Sequence, residues 1–312
     1  MRKAFAEAVA ALAESDPRVL LLTADLGFMA LDPFSDRFPD RFINVGVAEQ
    51  NMVGMATGLA EAGFIPYVYS IATFASLRAY EFIRNGPVRH GLPVRIAGVG
   101  GGFEYGAAGF SHHGLEDLGV MRLQPGLTVV APADPAQARE AVLRTAVLPG
   151  PVYFRLGKDD RAVVPGLGGR FELGRAVTLR QGSDVLLVTI GAIASEVVTA
   201  AEELTSRGVS ATVLLVSSLN PAPVGDLAQA LASHRLALTV EAHQVTGALG
   251  SLVAEVIAEG GIGCRLVRCG VRESGAGLSG GQRELEARSG ISAGAIAGTA
   301  VEQLARLAPV VR

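Results

Sequence analysis

The stretch from residue 42 to residue 74 reads FINVGVAEQNMVGMATGLAEAGFIPYVYSIATF. It opens with a strand-like run, INVGV, and continues into a segment in which apolar side chains recur at helical spacing. These side chains are Met52, Met55, Ala56 and Leu59. Another strand-like run follows at 65–69. Strand, amphipathic helix and strand in this order predict a parallel sheet with crossover helices.

The same alternation extends along the whole chain. Further strands are predicted at 19–23, 94–99, 128–131, 152–156, 185–190, 211–216, 236–241 and 264–269. Helices are predicted at 49–62, 134–146, 194–206, 224–232 and 249–259, and the second of these begins with Asp134 as N-cap before Pro135. The pattern stops at 157–174, GKDDRAVVPGLGGRFELG, where glycine, proline and charged residues indicate a linker. We therefore predict an α/β fold with two doubly wound, three-layer domains, residues 1–160 and 175–312, joined by residues 161–174.

Composition narrows the functional class. The 312 residues carry a net charge of −3 and no basic cluster, which argues against nucleic-acid binding. No apolar run reaches the roughly 18 residues that span a bilayer, and the N-terminus lacks a signal-peptide pattern, so a cytoplasmic protein is expected. Only 18% of residues are charged, against roughly 25% in an average soluble protein. This scarcity of charge predicts a large subunit interface.

Glu49 stands at the predicted N-terminus of the helix within 42–74, where the helix dipole favours a carboxylate. Taken alone, it is best explained as a first-turn dipole partner. The run VGVAEQNMVGMATGLA around it, however, resembles the pyrimidine-binding domain of the transketolase family. Further motifs of that family occur in order: RKAF (2–5), TADLG (23–27), GFSHHGLEDLGVMR (109–122), APAD (131–134), GPVYFRLGK (150–158), EAH (241–243) and GALG (247–250). The chain resembles the C-terminal half of a transketolase, namely its pyrimidine-binding and C-terminal domains.

The resemblance also implies what another chain must supply. Family members bind the diphosphate of thiamine diphosphate through Mg²⁺ and a GDG motif, and GDG does not occur in this sequence. We expect thiamine diphosphate to be shared with a separate N-terminal transketolase subunit that binds the Mg²⁺, and no metal ligands are predicted in this chain. The expected assembly is an α2β2 heterotetramer.

The resemblance assigns roles to six residues. Glu49 matches the glutamate that activates the cofactor, Phe74 the aromatic that stacks on its pyrimidine ring, and Leu26 a residue that packs on it. His112 matches a catalytic histidine that also contacts the donor sugar. Arg2 and Arg155 match arginines that hold the phosphate of sugar-phosphate substrates, a task that suits the planar guanidinium.

Some positions depart from the family pattern. Gly100 and Ala108 stand where the family has a histidine and an aspartate that touch the sugar, and Met29 stands where it has a phosphate-binding serine. His113 replaces a glutamine, and the sequence assigns it no role. These departures predict a remodelled acceptor end.

The predicted function is the C-terminal subunit of a thiamine-diphosphate-dependent transketolase, which transfers a two-carbon ketol unit from a ketose or ketose phosphate to an aldehyde. Three enzymatic alternatives stay open: a β subunit of a 2-oxo acid dehydrogenase, a deoxyxylulose-phosphate-synthase-like subunit, and a subunit that delivers the two-carbon unit to a lipoyl group or carrier protein. The alternative outside catalysis is a regulatory subunit that only binds a partner.

Overall fold

The computed structural model describes residues 1–273 and 277–307, so residues 308–312 of the predicted second domain lie outside the described part. The strands are β1 Val19–Thr23, β2 Phe42–Asn44, β3 Ile65–Ile71, β4 Arg95–Val99, β5 Thr128–Val130, β6 Val152–Leu156, β7 Ala176–Arg180, β8 Val185–Ile190, β9 Ala211–Val216, β10 Ser218–Asn220, β11 Leu236–Gln244 and β12 Arg265–Val271. The helices are α1 Arg2–Ser15, α2 Asp32–Arg37, α3 Glu49–Glu61, α4 Tyr80–Ile83, α5 Asp117–Arg122, α6 Pro135–Thr145, α7 Ala194–Ser206, α8 Val224–Ala232, α9 Leu249–Gly260, α10 Gln282–Arg288 and α11 Ala293–Leu307. Every strand and helix predicted from the sequence is present, within three residues at each end.

The first sheet has seven strands in the order β10-β5-β6-β4-β3-β1-β2. All neighbours pair in parallel except β10 and β5. Apolar residues of α1 and α6 cover one face and those of α3 and α5 cover the other. Both faces are therefore buried, which explains why these strands read as continuous hydrophobic runs rather than alternating ones.

The second sheet has five strands in the order β12-β11-β8-β9-β7, with β7 antiparallel at one edge. Helices α7 and α11 pack on one face, and α8 and α9 pack on the other. Both sheets thus confirm the prediction of two three-layer α/β domains.

Strand β10 crosses between the two sheets. It belongs to the second half of the chain, yet Ser218 pairs with Val130 of β5 and extends the first sheet. Three residues carry no readable periodicity, so the sequence did not predict this strand. By pairing with β5, it covers what would otherwise be an exposed sheet edge.

The two layers of helices facing each other form a shared core. One apolar cluster contains Leu22 and Val68 of the first sheet together with Leu186 and Val216 of the second. The hydrophobic effect therefore holds the two halves of the described chain together. None of the described helices is long and apolar enough to cross a membrane.

Candidate active site

Four of the six predicted site residues follow strands that end at one edge of the first sheet. Leu26 follows β1, Glu49 follows β2, Phe74 follows β3, and His112 lies in the loop after β4. Ligands of open α/β sheets bind outside the carboxyl ends of the strands, so this edge is where a site is expected.

Glu49 is the first residue of α3, and its side chain is only 2% exposed. Ser70 of β3 donates its hydroxyl hydrogen to Glu49 Oε1 at 2.9 Å. Arg78 donates from Nη1 to the other oxygen, Oε2, at 3.1 Å. Ser70 thus binds Oε1 from the interior of the fold. Oε2 faces outward, because the half-exposed side chain of Arg78 reaches it.

Phe74 begins a π-helical turn that ends at Arg78. The turn brings Arg78 back over Phe74, with the guanidinium carbon 3.8 Å from the ring centroid. His112 meets Phe74 in an edge-on arrangement, with the ring centroids 5.0 Å apart. Three of the predicted residues, Glu49, Phe74 and His112, are therefore joined in one cluster, and Arg78 connects two of them. π-Helical turns occur frequently at functional sites.

The loop between β4 and α5 carries His112 on a short 3₁₀ turn, Phe110–His112. Positive φ angles of 81° at Gly100 and 65° at Gly102 set the path of the loop, a conformation that favours glycine. A Cβ on Gly100 would lie 2.1 Å from the ring of Tyr105. Glycine at position 100 therefore makes room for Tyr105. The hydroxyl of Ser111 lies 3.0 Å from His112 Nδ1, which leaves Nε2 as the nitrogen able to reach a substrate.

His113 points the opposite way and is buried beneath the loop. Its Nε2 lies 3.3 Å from the carbonyl oxygen of Gly106, and its ring packs edge-on against Phe103 at 5.1 Å. Phe103 in turn packs with Leu115 and with Leu285 of α10. The structure thus gives His113 a place in holding the loop rather than facing the site.

Two cations lie at the far end of the loop. Lys158 Nζ lies 4.3 Å above the ring of Tyr105, and Arg2 donates from Nε to the carbonyl oxygen of Lys158 at 3.3 Å. The Tyr105 ring is also 6.3 Å from that of His112. Successive side-chain contacts therefore form a line of groups from Glu49, through Phe74, His112 and Tyr105, to the cation pair of Lys158 and Arg2.

Glu104 lies beneath the cations and accepts a hydrogen bond from the backbone N–H of Lys158. Burial raises the pKa of Glu104 to about 7, and the hydrogen bond from Lys158 lowers it only in part. Near neutral pH this carboxyl therefore only partly cancels the positive charge of the pair. Asp160 Oδ2 lies 3.6 Å from Arg2 Nη2 and offsets part of the charge of Arg2.

Arg155 lies elsewhere, in the interface between the two domains. Its side chain is 7% exposed, and Nη2 donates to the carbonyl oxygens of Gly114 at 2.6 Å and Ala242 at 2.7 Å. Its Nε lies 3.4 Å from Asp117 Oδ2. Gly101 packs so closely that a Cβ there would lie 1.9 Å from Arg155 Nε. These contacts favour a structural role over the predicted contact with a substrate phosphate, because the guanidinium already satisfies buried protein oxygens.

Leu26 lies in a turn that Thr23 stabilises, its hydroxyl bonded to both the N–H and the carbonyl oxygen of Leu26. The preceding residue, Asp25, has a φ of 56° and accepts a hydrogen bond from Asn44 at 2.9 Å. The Leu26 side chain packs against the apolar cluster on the α1 face of the sheet. Its predicted contact with a cofactor stays a prediction.

Sequence reasoning missed Arg78, Tyr105 and Lys158. Arg78 stands four residues after Phe74, which is the spacing of neighbours on one helix face, and this signal was readable. Lys158 stands three residues after Arg155, just past the end of β6, where the loops form the site edge. No feature of the neighbouring sequence pointed to Tyr105, because its contact with Gly100 depends on how the loop folds.

Comparison with known proteins places each half of the chain in a family. Residues 1–162 match the family model of the transketolase pyrimidine binding domain. Residues 174–296 match the family model of the transketolase C-terminal domain.

Individual relatives agree with these matches. A putative transketolase C-terminal section from Methanocaldococcus jannaschii is 35% identical over 97% of this chain and 96% of its own length. One of the subunits of an apulose-4-phosphate transketolase from Actinobacillus succinogenes is 35% identical, covering 85% of each chain. Among solved structures, a split gene transketolase described as an inactive beta4 tetramer superimposes with a TM-score of 0.87 at 35% identity, covering 97% of each chain.

Proposed function

Because this chain belongs to the transketolase family, we propose that it is the pyrimidine-binding subunit of a two-subunit, thiamine-diphosphate-dependent transketolase. The observation that carries the proposal is the line of groups from buried Glu49, past Phe74 and His112, to Lys158 and Arg2. A carboxyl and an aromatic ring at one end fit an aminopyrimidine, and two cations at the other end fit an anionic sugar.

The contacts of Arg78 support the assignment of the cofactor end. The guanidinium of Arg78 is a planar, nitrogen-rich group that already bonds to Glu49 Oε2 and lies over Phe74. An aminopyrimidine is also planar and rich in nitrogen, although it is uncharged and its ring nitrogens accept hydrogen bonds. A carboxyl can bond to such a ring nitrogen and Phe74 can stack on the ring, so Glu49 and Phe74 are suited to hold it. When bound, thiamine diphosphate supplies the nucleophilic carbon that takes up a two-carbon unit and passes it on.

The chain's own groups then have distinct tasks. Glu49, with Oε1 held by Ser70, would exchange a proton at a pyrimidine ring nitrogen through Oε2. His112 would place Nε2 beside the reacting oxygen of the sugar, where a hydrogen bond stabilises developing negative charge. Phe74 would fix the plane of the pyrimidine and exclude water from one face of it.

A partner chain is part of the proposal. Several large apolar side chains are exposed, and each lies within three residues of one of the predicted site residues Leu26, Glu49, Phe74 and His112. They are Phe28, Met29, Val47, Leu77 and Phe110. Apolar groups clustered beside a site indicate a surface that another protein covers. We assign that partner the diphosphate and Mg²⁺ site, in an α2β2 assembly.

The cations at Arg2 and Lys158 favour a sugar with an anionic group at the end remote from the reacting carbon. The name of the Actinobacillus relative specifies a sugar phosphate, which is consistent with this chemistry. We assign the second cation of the pair to Lys158, in place of Arg155, which the resemblance implied beside Arg2.

The test is a comparison of Glu49→Gln with Glu61→Gln, an exposed change at the other end of the same helix. Each variant is combined with the partner subunit, thiamine diphosphate and Mg²⁺, and ketol transfer from a ketose phosphate to an aldehyde is measured. We expect Glu49→Gln to lower kcat by about 100-fold or more, because proton exchange at the ring is lost. The kcat of Glu61→Gln should stay within twofold of that of the unsubstituted chain.

Retention of more than a tenth of the activity by Glu49→Gln would remove Glu49 from the mechanism. The same assembly is also given 2-oxo acids, and released CO₂ is measured. Release of CO₂ without ketol transfer would favour the 2-oxo acid dehydrogenase or deoxyxylulose-phosphate-synthase-like alternative over a transketolase.

A further inference from the structure

Arg78 makes both contacts that the proposed site offers to a pyrimidine. Its Nη1 donates to Glu49 Oε2 at 3.1 Å, and its guanidinium carbon lies 3.8 Å from the centroid of the Phe74 ring. A flat cation can make these two contacts at once only from the space between the carboxylate and the ring. That space is where a pyrimidine held by Glu49 and Phe74 would lie.

We propose that Arg78 is a placeholder, which occupies the pyrimidine subsite of the chain and leaves it when the cofactor enters. This inference rests on the proposed function, because it takes Glu49 and Phe74 as the groups that hold the cofactor. Arginine suits the task because a guanidinium matches a carboxylate in hydrogen bonding and an aromatic face in stacking.

The three side chains differ in how easily each can move. Glu49 is 2% exposed and is held by Ser70, whereas the Arg78 side chain is 46% exposed. Arg78 is also the last residue of its π-helical turn, so its long side chain can swing outward without moving Phe74 at the other end. Glu49 and Phe74 therefore form a fixed frame, and Arg78 is the movable part.

The placeholder also explains how the isolated chain can bury the carboxylate of Glu49. A buried carboxylate without a partner is strongly destabilising, and Arg78 supplies the compensating charge. The cofactor would then replace one partner of Glu49 with another, so that the carboxylate is paired in both states. The consequence is a competition, in which Arg78 lowers the apparent affinity for the pyrimidine.

The competition can be measured on the full chain alone with a small probe, 4-amino-5-hydroxymethyl-2-methylpyrimidine, which has the pyrimidine half of the cofactor and no diphosphate. Its Kd is determined by NMR titration for the unsubstituted chain and for Arg78→Met. Methionine keeps much of the length of the side chain but cannot pair with Glu49. Arg84→Met, at an exposed arginine six residues further on, is the matched control.

We expect Arg78→Met to lower the Kd of the probe about tenfold, equivalent to 1.4 kcal/mol. Arg84→Met should leave the Kd within twofold. In the unsubstituted chain, the side-chain protons of Arg78 lie in the ring current of Phe74 and should shift downfield as the probe is added. In Glu49→Gln/Arg78→Met the gain in affinity should disappear, because the carboxylate that the probe needs is gone.

Two results would overturn the inference in distinguishable ways. If the probe binds the unsubstituted chain as tightly as Arg78→Met, or more tightly, and binding still requires Glu49, then Arg78 is no placeholder and the proposed function stands. If no variant binds the probe at millimolar concentration, then the chain alone has no pyrimidine subsite for Arg78 to occupy and this inference fails, whereas the proposed function is decided by Glu49→Gln in the assembled complex.

Discussion

Replacement of Arg155 by methionine separates the role suggested by the sequence from the role suggested by the structure. If Arg155 holds a substrate phosphate, the change should raise KM and leave the fold intact. If it joins the two domains, the change should destabilise the protein. The contacts to Gly114, Ala242 and Asp117 predict the second result.

The expected loss follows from those contacts. Methionine fills much of the space but donates no hydrogen bond, so the carbonyl oxygens of Gly114 and Ala242 each lose a charged donor, at about 1.5 to 3 kcal/mol per bond. Asp117, which is fully buried, loses its cation, and among the described residues the hydroxyl of Tyr153 at 2.8 Å is the side-chain donor that it keeps. Removing one partner of a buried ion pair costs about 3 to 5 kcal/mol. Because these losses overlap, we expect a decrease of about 4 kcal/mol in the free energy of unfolding.

The assay is urea unfolding followed by circular dichroism, together with limited proteolysis of the segment 161–174. With a denaturant dependence of roughly 3 kcal/mol per molar urea, the loss should lower the midpoint by about 1.3 M. Arg139→Met, at an exposed position on α6, serves as control, and its free energy of unfolding should stay within about 0.5 kcal/mol of that of the unsubstituted chain. Loosened docking of the two domains should also speed cleavage between them.

A double-mutant cycle with Asp117→Asn tests the pairing itself. Because each single change leaves one buried charge uncompensated, the double variant should lose about 2 to 3 kcal/mol less than the sum of the singles. A decrease below about 1 kcal/mol for Arg155→Met, with a higher KM for a phosphorylated sugar, would refute this reasoning. It would restore the substrate role of Arg155.

Two further predictions concern a pH effect and the cation pair. Burial raises the pKa of Glu241 to about 7, although the N–H groups of Leu249 and Gly250 lower it in part. The folded state therefore holds this proton more tightly than the unfolded state, so the contribution of Glu241 to stability is greatest below about pH 4.5 and is lost as the pH rises through 7. Between pH 4.5 and 7.5, the free energy of unfolding should fall by about 2 to 3 kcal/mol less in Glu241→Gln than in the unsubstituted chain. An equal fall in both proteins would contradict the prediction. Lys158→Met should raise KM for a ketose phosphate about tenfold and leave KM for an uncharged ketose unchanged. Lys3→Met should change neither KM. Equal changes in KM for the ketose phosphate in both variants would argue against a specific cation pair.

Much of the fold was readable because its signals are local. The apolar run at 19–23 and the helical spacing after Glu49 depend only on neighbours in sequence, and both elements begin where predicted. Strand β10 was not readable, because a three-residue strand exists only through its partner β5. Strand β7, an edge strand, was missed for a similar reason, since its residues are only partly buried and form no continuous apolar run.

The site was readable in part. The motif at 42–74 predicted the carboxyl and the aromatic ring, and the motif at 109–122 predicted the histidine. The structure joins Phe74 to His112 and, through Arg78, to Glu49. The motif gives the residue type at position 155 and not its surroundings, and the contacts of Arg155 with Gly114, Ala242 and Asp117 favour a structural role. The departures at Gly100 and Ala108 predict a remodelled acceptor end, which stays a prediction, and only the folded loop shows that Tyr105 packs against Gly100.

The sequence by itself determined the order of strands and helices, the division into two α/β halves and the family, because these depend on patterns within a few residues or on a continuous motif. The tertiary structure decided where the long cationic side chains at positions 155 and 158 lie. Arg155 lies within β6 and turns into the domain interface toward Asp117 and Ala242, whereas Lys158, just past the end of the strand, lies over Tyr105. The direction of a long charged side chain is set by the oxygens and rings that meet it in space, and those come from distant parts of the chain.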